Sequence, residues 1–124
     1  PRLVAIHEAK TAALLTTALR LGAMSADATP AKLDALTRFG RALGLAFQVI
    51  DDILDVTQTS EKLGKTAGKD TQAQKATYPA IVGLAASRRI AEQLTRRAFA
   101  ALKPFRGRAW ALAALADYLL RRDC

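Results

Sequence analysis

Three aspartates, Asp51, Asp52 and Asp55, stand inside an otherwise apolar stretch of this 124-residue chain. On an α-helix they share one face with Gln48, because they follow it at offsets of three, four and seven residues. Burial of carboxylates in an apolar run costs desolvation free energy, which a bound partner can offset. Mg²⁺ is a suitable partner, since proteins hold it through one or two carboxylates together with substrate phosphates. The spacing therefore indicates a Mg²⁺–diphosphate site, with a solvated helix surface as the simpler alternative.

A segment rich in glycine and lysine follows, from Glu61 to Asp70, and Lys75 comes soon after it. Glycines let a backbone approach a ligand closely, and lysine ammonium groups bind phosphate as point charges. The residue order of a Walker A loop is absent, and the segment alone is more typical of a solvated loop. Its position directly after the acidic helix is what favours a phosphate-binding role.

A further polar pair, Lys10-Thr11, lies on the first helical stretch, shortly after His7. Taken alone, this lysine and threonine are expected on a helix surface. His7, the single histidine, is expected to be a surface or packing residue and not a ligand.

Together these segments resemble the second half of a trans-isoprenyl diphosphate synthase, most closely the bacterial short-chain, farnesyl diphosphate synthase-like members. The order of F-Q-x-x-D-D-x-x-D, G-K and K-x-T-Y-P makes the resemblance specific, and it extends over nearly the whole chain. It implies an all-α fold, the isoprenoid-synthase type of helical bundle. The matching runs are Lys10-Thr11, Gly44–Gln48, Asp51–Asp55, Leu63–Lys65, Gly68–Asp70, Lys75–Pro79 and Ala113–Tyr118.

The resemblance implies the roles of the charged residues. Asp51, Asp52 and Asp55 match the family's second aspartate-rich motif, with Asp51 as the direct Mg²⁺ ligand. Lys10 and Lys65 match lysines that hold the diphosphate of the allylic substrate. Such enzymes condense isopentenyl diphosphate with dimethylallyl or geranyl diphosphate and release pyrophosphate, whose charge the metal and the lysines neutralise.

The resemblance also implies roles for residues near the reacting carbons. Thr11 and Gln48 match polar residues beside the carbons where an allylic cation develops, and Phe47 matches an aromatic residue near the isopentenyl unit. Lys75 and Asp70 match charged residues at the mouth of the site.

One departure from the family concerns its first aspartate-rich motif. Asp51-Asp52 is the only pair of adjacent aspartates in this chain. We therefore expect residues 1–124 to be the C-terminal portion of a single polyprenyl synthase domain, inactive without the portion that carries the first motif. The residues that usually set product length precede that motif, so product size is not readable here. The segment from Leu63 to Pro79 favours fifteen-carbon farnesyl diphosphate, by resemblance only.

Composition and patterning predict four or five helices, because alanine and leucine dominate and no strand-like alternation persists. The sequence predicts a helix from about Leu3 to Leu21 and a long one to about Val56, which starts with a Thr29 N-cap and Pro30. Further helices are predicted from Tyr78 to about Leu102 and from about Ala109 to Arg122, with a break at residues 103–107.

The formal net charge of +8 raises the question of an anionic partner. Arginine doublets such as Arg88-Arg89 and Arg96-Arg97 could bind nucleic acid or an acidic membrane. They lack the interleaved aromatic residues of single-strand binders, so a solvated helix face is favoured over a nucleic-acid partner. The lone Cys124 excludes a disulfide framework and a cysteine-based metal site.

No apolar stretch reaches transmembrane length and no signal peptide is visible, so stable membrane insertion is not expected and a cytoplasmic location is the default. Resemblance alone predicts a homodimer. Two alternatives to a prenyltransferase stay open. One is a non-catalytic subunit of this family that modulates a partner, and the other is a basic helical interaction module without enzymatic activity.

Overall fold

The computed structural model describes residues 2–63 and 76–121, and every regular element in these two ranges is helical. Helix α1 (Arg2–His7) continues through a π-helical segment (Glu8–Ala12) into α2 (Ala13–Ser25). The remaining elements are α3 (Pro30–Leu63), α4 (Tyr78–Val82), α5 (Leu84–Ala101), a 3-10 turn (Lys103–Phe105) and α6 (Trp110–Leu120). The predicted all-α class is thereby confirmed.

Helix α3 is the axis of the fold, and it begins where the sequence predicted. The backbone N–H of Lys32 donates to the Thr29 hydroxyl at 3.5 Å, and that of Leu33 donates to the Thr29 carbonyl at 2.9 Å. Pro30, which has no N–H to leave unpaired, occupies the first position. At 34 residues the helix extends over roughly 50 Å at 1.5 Å per residue, so both ends of the core can pack against it.

Within the described ranges, buried side chains form two clusters that share α3. The first surrounds Phe39 and includes Ala98 of α5, Leu102 directly after α5, and Ala116 of α6. The second surrounds Val49 and includes Tyr78 of α4 and Ala91 of α5. Because both clusters use the apolar face of α3, the polar face that carries the aspartates lies outside them.

Two glycines let α3 pack directly against the π-helical segment and α2. A Cβ atom at Gly44 would lie 2.4 Å from Cα and 2.6 Å from Cβ of Ala12, which is far inside van der Waals contact. A Cβ atom at Gly40 would lie 2.9 Å from Cα of Thr16. Ala12 is accordingly 1% exposed. The helices meet backbone to backbone at these positions.

Several predicted helix boundaries need correction. The first helical stretch passes Leu21 and ends at Ser25, and α3 passes Val56 and ends at Leu63. The last helix is shorter than predicted, at Trp110–Leu120. The predicted break at residues 103–107 is confirmed, since Arg106 and Gly107 have φ angles of 47° and 83°.

A single helix from Tyr78 to Leu102 was wrong, because Gly83 divides it into α4 and α5. Gly83 has φ 85° and ψ 159°, a conformation essentially restricted to glycine, and the helical hydrogen-bond ladder is interrupted there. Both sides of the break are supported by hydroxyl groups. Thr77 accepts from the N–H of Ala80 at 3.3 Å, and the Ser87 hydroxyl donates to the Gly83 carbonyl at 2.8 Å.

Candidate functional site

The acidic face of α3 passes from buried to exposed along the helix. Gln48 is 7% exposed, Asp51 and Asp52 are half-buried, and Asp55 is exposed. The four residues share one face as the helical period requires, because α3 is continuous from Pro30 to Leu63. This arrangement places the predicted polar residues side by side at the edge of the core.

Asp52 is held by partners from two other elements. Its Oδ2 atom accepts the backbone N–H of Tyr78, the first residue of α4, at 3.0 Å. The same oxygen lies 3.8 Å from Nε2 of His7, and only 14% of the Asp52 side chain is exposed. A carboxylate at the first turn of a helix is favourable, because it satisfies a free N–H and complements the positive end of the helix dipole. Asp52 therefore joins α3 to the start of α4.

His7 is a packing residue and not a surface residue. It is 6% exposed, and its ring faces that of Tyr78 with centroids 5.5 Å apart and an interplanar angle of 42°. Its Nδ1 atom is buried and has no hydrogen-bond partner among the described residues. His7, Asp52 and Tyr78 thus form a three-residue contact, called here the α1–α3–α4 junction.

The junction changes the acidity of Tyr78. Burial of the ring raises the pKa of the Tyr78 phenol above its usual value, and the negative charges of Asp52 and Glu8 raise it further. Each of these effects disfavours the phenolate, so the hydroxyl keeps its proton at neutral pH. Tyr78 acts in the junction as a neutral ring.

Lys10 and Thr11 lie on the π-helical segment directly before the close contact with α3. Lys10 is exposed and Thr11 is half-buried. Ala12, the next residue, lies against Gly44, and Gln48 follows Gly44 by one helical turn on the same row of α3. The contact between Ala12 and Gly44 therefore fixes the position of Thr11 along the axis of α3, relative to the acidic face. Single π-helical turns within α-helices are frequently found at functional sites.

The other predicted site residues have different outcomes. Phe47 is half-buried on α3, next to Gln48. Lys65, Asp70 and Lys75 lie outside the described residues. Sequence reasoning missed the junction, since nothing in the pattern pairs His7 with residues 45 and 71 positions later in the chain. The Thr77-Tyr78-Pro79 helix start was recognisable, but its contact with Asp52 was not.

The donor set of α3 fits Mg²⁺ only if a substrate completes the coordination shell. Within residues 2–63 and 76–121, no three carboxylate, imidazole or thiol groups are close enough to hold a metal by themselves. Mg²⁺ does not require such a cage, because it commonly binds one or two carboxylates, water and substrate phosphates. The half-buried and exposed aspartates supply hard oxygen ligands of that kind. The residues present are thus compatible with an ion bridged to a diphosphate.

A basic cavity lies away from the acidic face, between α3 and α5. It has a volume of about 550 Å³ and is lined by apolar residues together with Arg38, Arg41, Arg97 and Lys103. Arg38 pairs with Asp34 at 3.1 Å, and both side chains are largely exposed. Exposed pairs of this kind contribute little to stability. In the part of the chain that the structure describes, no helix has the length and apolar character needed to cross a bilayer.

Comparison with known sequences identifies the relatives of this chain. Residues 2–104 match the sequence model of the polyprenyl synthetase family. The chain is 50% identical over 119 residues to a chloroplastic geranylgeranyl pyrophosphate synthase of Capsicum annuum, an alignment covering 95% of this chain and 32% of that protein. It is 49% identical over 117 residues to a dimethylallyltranstransferase of Fischerella ambigua, covering 94% and 34% respectively.

Comparison with solved structures gives the same grouping. A candidate farnesyl-diphosphate synthase of Marinomonas sp. MED121 superposes with a TM-score of 0.78 at 34% identity, over 95% of this chain and 39% of that chain. A geranyltransferase of Helicobacter pylori superposes with a TM-score of 0.72 at 28% identity, over 95% and 38%. The chain spans about a third of the length of the curated relatives it matches.

Proposed function

The chain belongs to the polyprenyl synthetase family, and we propose that the protein condenses isopentenyl diphosphate with an allylic diphosphate. The reaction forms a longer prenyl diphosphate and releases pyrophosphate. The observation that carries the proposal is the acidic face of α3, held against the Lys10-Thr11 segment by the Gly44 contact. Prenyl elongation requires both sides of this contact. The leaving diphosphate needs positive charge, which Lys10 and a Mg²⁺ ion held by the aspartates would supply, and the allylic cation needs nearby dipoles.

The proposed metal and diphosphate ligands come from both sides of this contact. Asp51, Asp52 and Asp55 would hold Mg²⁺, with Asp51 as the direct ligand. When bound, the ion supplies Lewis-acid neutralisation of the leaving pyrophosphate. Lys10 would bind the allylic diphosphate from the π-helical segment, and Lys65 is proposed to do so from the segment outside the described residues.

The proposed environment of the reacting carbons is polar but unreactive. Thr11 and Gln48 present a hydroxyl and an amide, whose oxygen dipoles stabilise a nearby cation without a formal charge. Phe47 would lie near the isopentenyl unit. Lys75 and Asp70 are proposed at the mouth of the site. Burial of Gln48 at 7% exposure supports this assignment, because a desolvated dipole acts more strongly on a nearby charge.

The product and setting of the whole protein are also proposals, since the chain spans about a third of its relatives. We propose that residues 1–124 form part of one polyprenyl synthase domain and depend on the remainder of that domain for activity. Farnesyl diphosphate is the proposed product, and a twenty-carbon product is the competing result, because the Capsicum annuum relative is named for geranylgeranyl pyrophosphate. A homodimer in the cytoplasm, without a nucleic-acid partner, is the proposed state.

The decisive test is product formation by the natural protein that contains this chain. It would receive labelled isopentenyl diphosphate and dimethylallyl diphosphate with Mg²⁺, and the prenyl products would be separated by length. We expect a fifteen-carbon product, and we expect excess EDTA to stop its formation. Asp51→Asn should lower kcat/KM by about a hundredfold or more, the usual loss when one transition-state charge stabiliser is removed.

Asp34→Asn is the matched control, because it makes the same chemical change on the same helix. Asp34 is exposed and forms an ion pair with Arg38 one turn away, so its replacement should leave the rate unchanged. Absence of any prenyl product from the folded protein with Mg²⁺ would refute the catalytic proposal. A non-catalytic subunit or a basic interaction module would then be the remaining explanation.

A further inference from the structure

His7 is the most deeply buried ionisable side chain among the described residues, and the proposed chemistry gives it no role. It lies three residues before Lys10, at the end of α1 where the helix passes into the π-helical segment. The buried Nδ1 atom of His7 has no hydrogen-bond partner among residues 2–63 and 76–121, and a buried polar atom without a partner costs free energy. An apolar side chain would avoid that cost, so packing alone does not account for a histidine here.

The contacts of His7 connect three elements at one point. Its Nε2 atom lies 3.8 Å from Oδ2 of Asp52 on α3, and its ring packs against Tyr78 of α4 at 5.5 Å. The same Asp52 oxygen accepts the Tyr78 N–H at 3.0 Å. His7 therefore contacts both Asp52 and Tyr78, which are hydrogen-bonded to each other.

We propose that His7 is a positioning residue, which holds the Asp52 carboxylate and the start of α4 in register with the Lys10-Thr11 segment. The inference rests on the proposed function, since it assigns His7 to the geometry of that same site. With His7 in place, the second aspartate of the acidic face and the start of α4 both contact the end of α1. A displacement of about 1 Å at such a site can lower a rate about a hundredfold.

Three substitutions in the natural protein separate positioning from packing. His7→Phe keeps an aromatic ring for Tyr78 and removes both nitrogens, while His7→Gln removes the ring and keeps a side-chain N–H donor. Thr16→Val is the matched control, because Thr16 is also buried on the same helical stretch, and its side-chain oxygen likewise has no hydrogen-bond partner in the described part of the chain. It lies against Gly40 and not against the aspartates.

Two readouts are measured for each variant. The first is kcat and KM with isopentenyl and dimethylallyl diphosphates, and the second is hydrogen exchange of the amides in residues 77–82. We expect His7→Phe to keep the wild-type melting temperature, to lower kcat by about tenfold to a hundredfold with little change in KM, and to speed exchange at α4. His7→Gln should recover part of the kcat, and Thr16→Val should match the wild type in both readouts.

The two readouts also distinguish failure of this inference from failure of the proposed function. Wild-type kcat and wild-type exchange in His7→Phe would overturn the positioning role. The positioning role would also be overturned if His7→Phe lowered kcat and the melting temperature together and His7→Gln recovered none of the kcat. If the wild-type protein forms no prenyl product, the proposed function fails, and the exchange of α4 alone then decides whether His7 holds the junction.

Discussion

Replacement of Gly44 by alanine tests whether the close contact of α3 with the π-helical segment positions the site. The added Cβ would lie 2.4 Å from Cα and 2.6 Å from Cβ of Ala12, whereas carbon atoms ordinarily approach to about 3.5–4.0 Å. The two helices must therefore separate by more than about 1 Å, because Cα and Cβ of Ala12 are fixed to the backbone and cannot rotate away. Thr11 moves with Ala12, so its distance from the acidic face changes by a similar amount.

The expected magnitude follows from two opposing effects. Overpacking of a core contact costs about 1–3 kcal/mol, and a backbone collision belongs at the upper end of that range. Alanine in a helix is favoured over glycine by about 0.5–1 kcal/mol. We expect Gly44→Ala to lower the free energy of unfolding by about 2–2.5 kcal/mol, the difference between these two effects, and to reduce kcat by about a hundredfold through the displacement.

Gly22→Ala is the matched control, since it makes the identical change in α2 where a Cβ would meet nothing within 4 Å. It should leave the rate unchanged and raise stability by up to about 1 kcal/mol. Urea unfolding and prenyl-product kinetics of the natural protein provide both measurements. Equal stability and equal rates for the two variants would refute the argument that backbone contact at Gly44 positions Thr11.

The remaining predictions concern the elements that support the site. Gly83→Ala should lower the free energy of unfolding by about 1–3 kcal/mol although a Cβ meets nothing within 4 Å, because φ 85° disfavours any side chain; unchanged urea unfolding would contradict this. Because burial, then the charges of Asp52 and Glu8, raise the pKa of Tyr78 above 10.0, the unfolded chain loses the phenolic proton first. The stability that the folded chain gains from a protonated Tyr78 is therefore complete below about pH 10 and is lost as pH rises further. Tyr78→Phe should flatten this alkaline decline of the unfolding free energy. Asp52→Ala should cost about 1–3 kcal/mol by leaving the Tyr78 N–H unpaired, and Asp52→Asn, which keeps an acceptor, should cost less than about 1 kcal/mol; equal thermal stability of the two would show that the hydrogen bond is unimportant. Phe39→Ala, at a position 1% exposed, should cost about 3–5 kcal/mol in the same unfolding assay.

The acidic face was predictable because local signals agree along α3. The Thr29-Pro30 start, the apolar period and the spacing of Gln48 with the aspartates all indicate one helix, and the structure has one. The break at Gly83 was not predictable in this way. Ile81, Val82 and Leu84 continue an apolar helical pattern, and only a positive φ at the glycine shows that the helix stops.

Long-range contacts explain the other differences between expectation and structure. His7 reads as a surface or packing residue because its burial comes from elements that lie far along the chain. The π-helical segment has no distinctive local sequence, since alanine, lysine and threonine all occur in ordinary α-helices. The segment lies where Ala12 packs against Gly44. The irregular turn therefore coincides with a tertiary contact, which a single sequence does not reveal.

The position of Asp52 has a consequence for how a D-D-x-x-D pattern is interpreted. One of its oxygens accepts the first N–H of α4, and its side chain is 14% exposed, whereas Asp55 belongs to the exposed residues of the helix. Since Mg²⁺ commonly takes only one or two protein carboxylates, three aspartates in one run need not have the same function. Loss of activity after mutation of Asp52 would therefore combine an effect on the proposed Mg²⁺ site with an effect on the attachment of α4. The proposed role in Mg²⁺ binding is therefore better tested by substitutions at Asp51 and Asp55, because the Tyr78 N–H donates to Asp52.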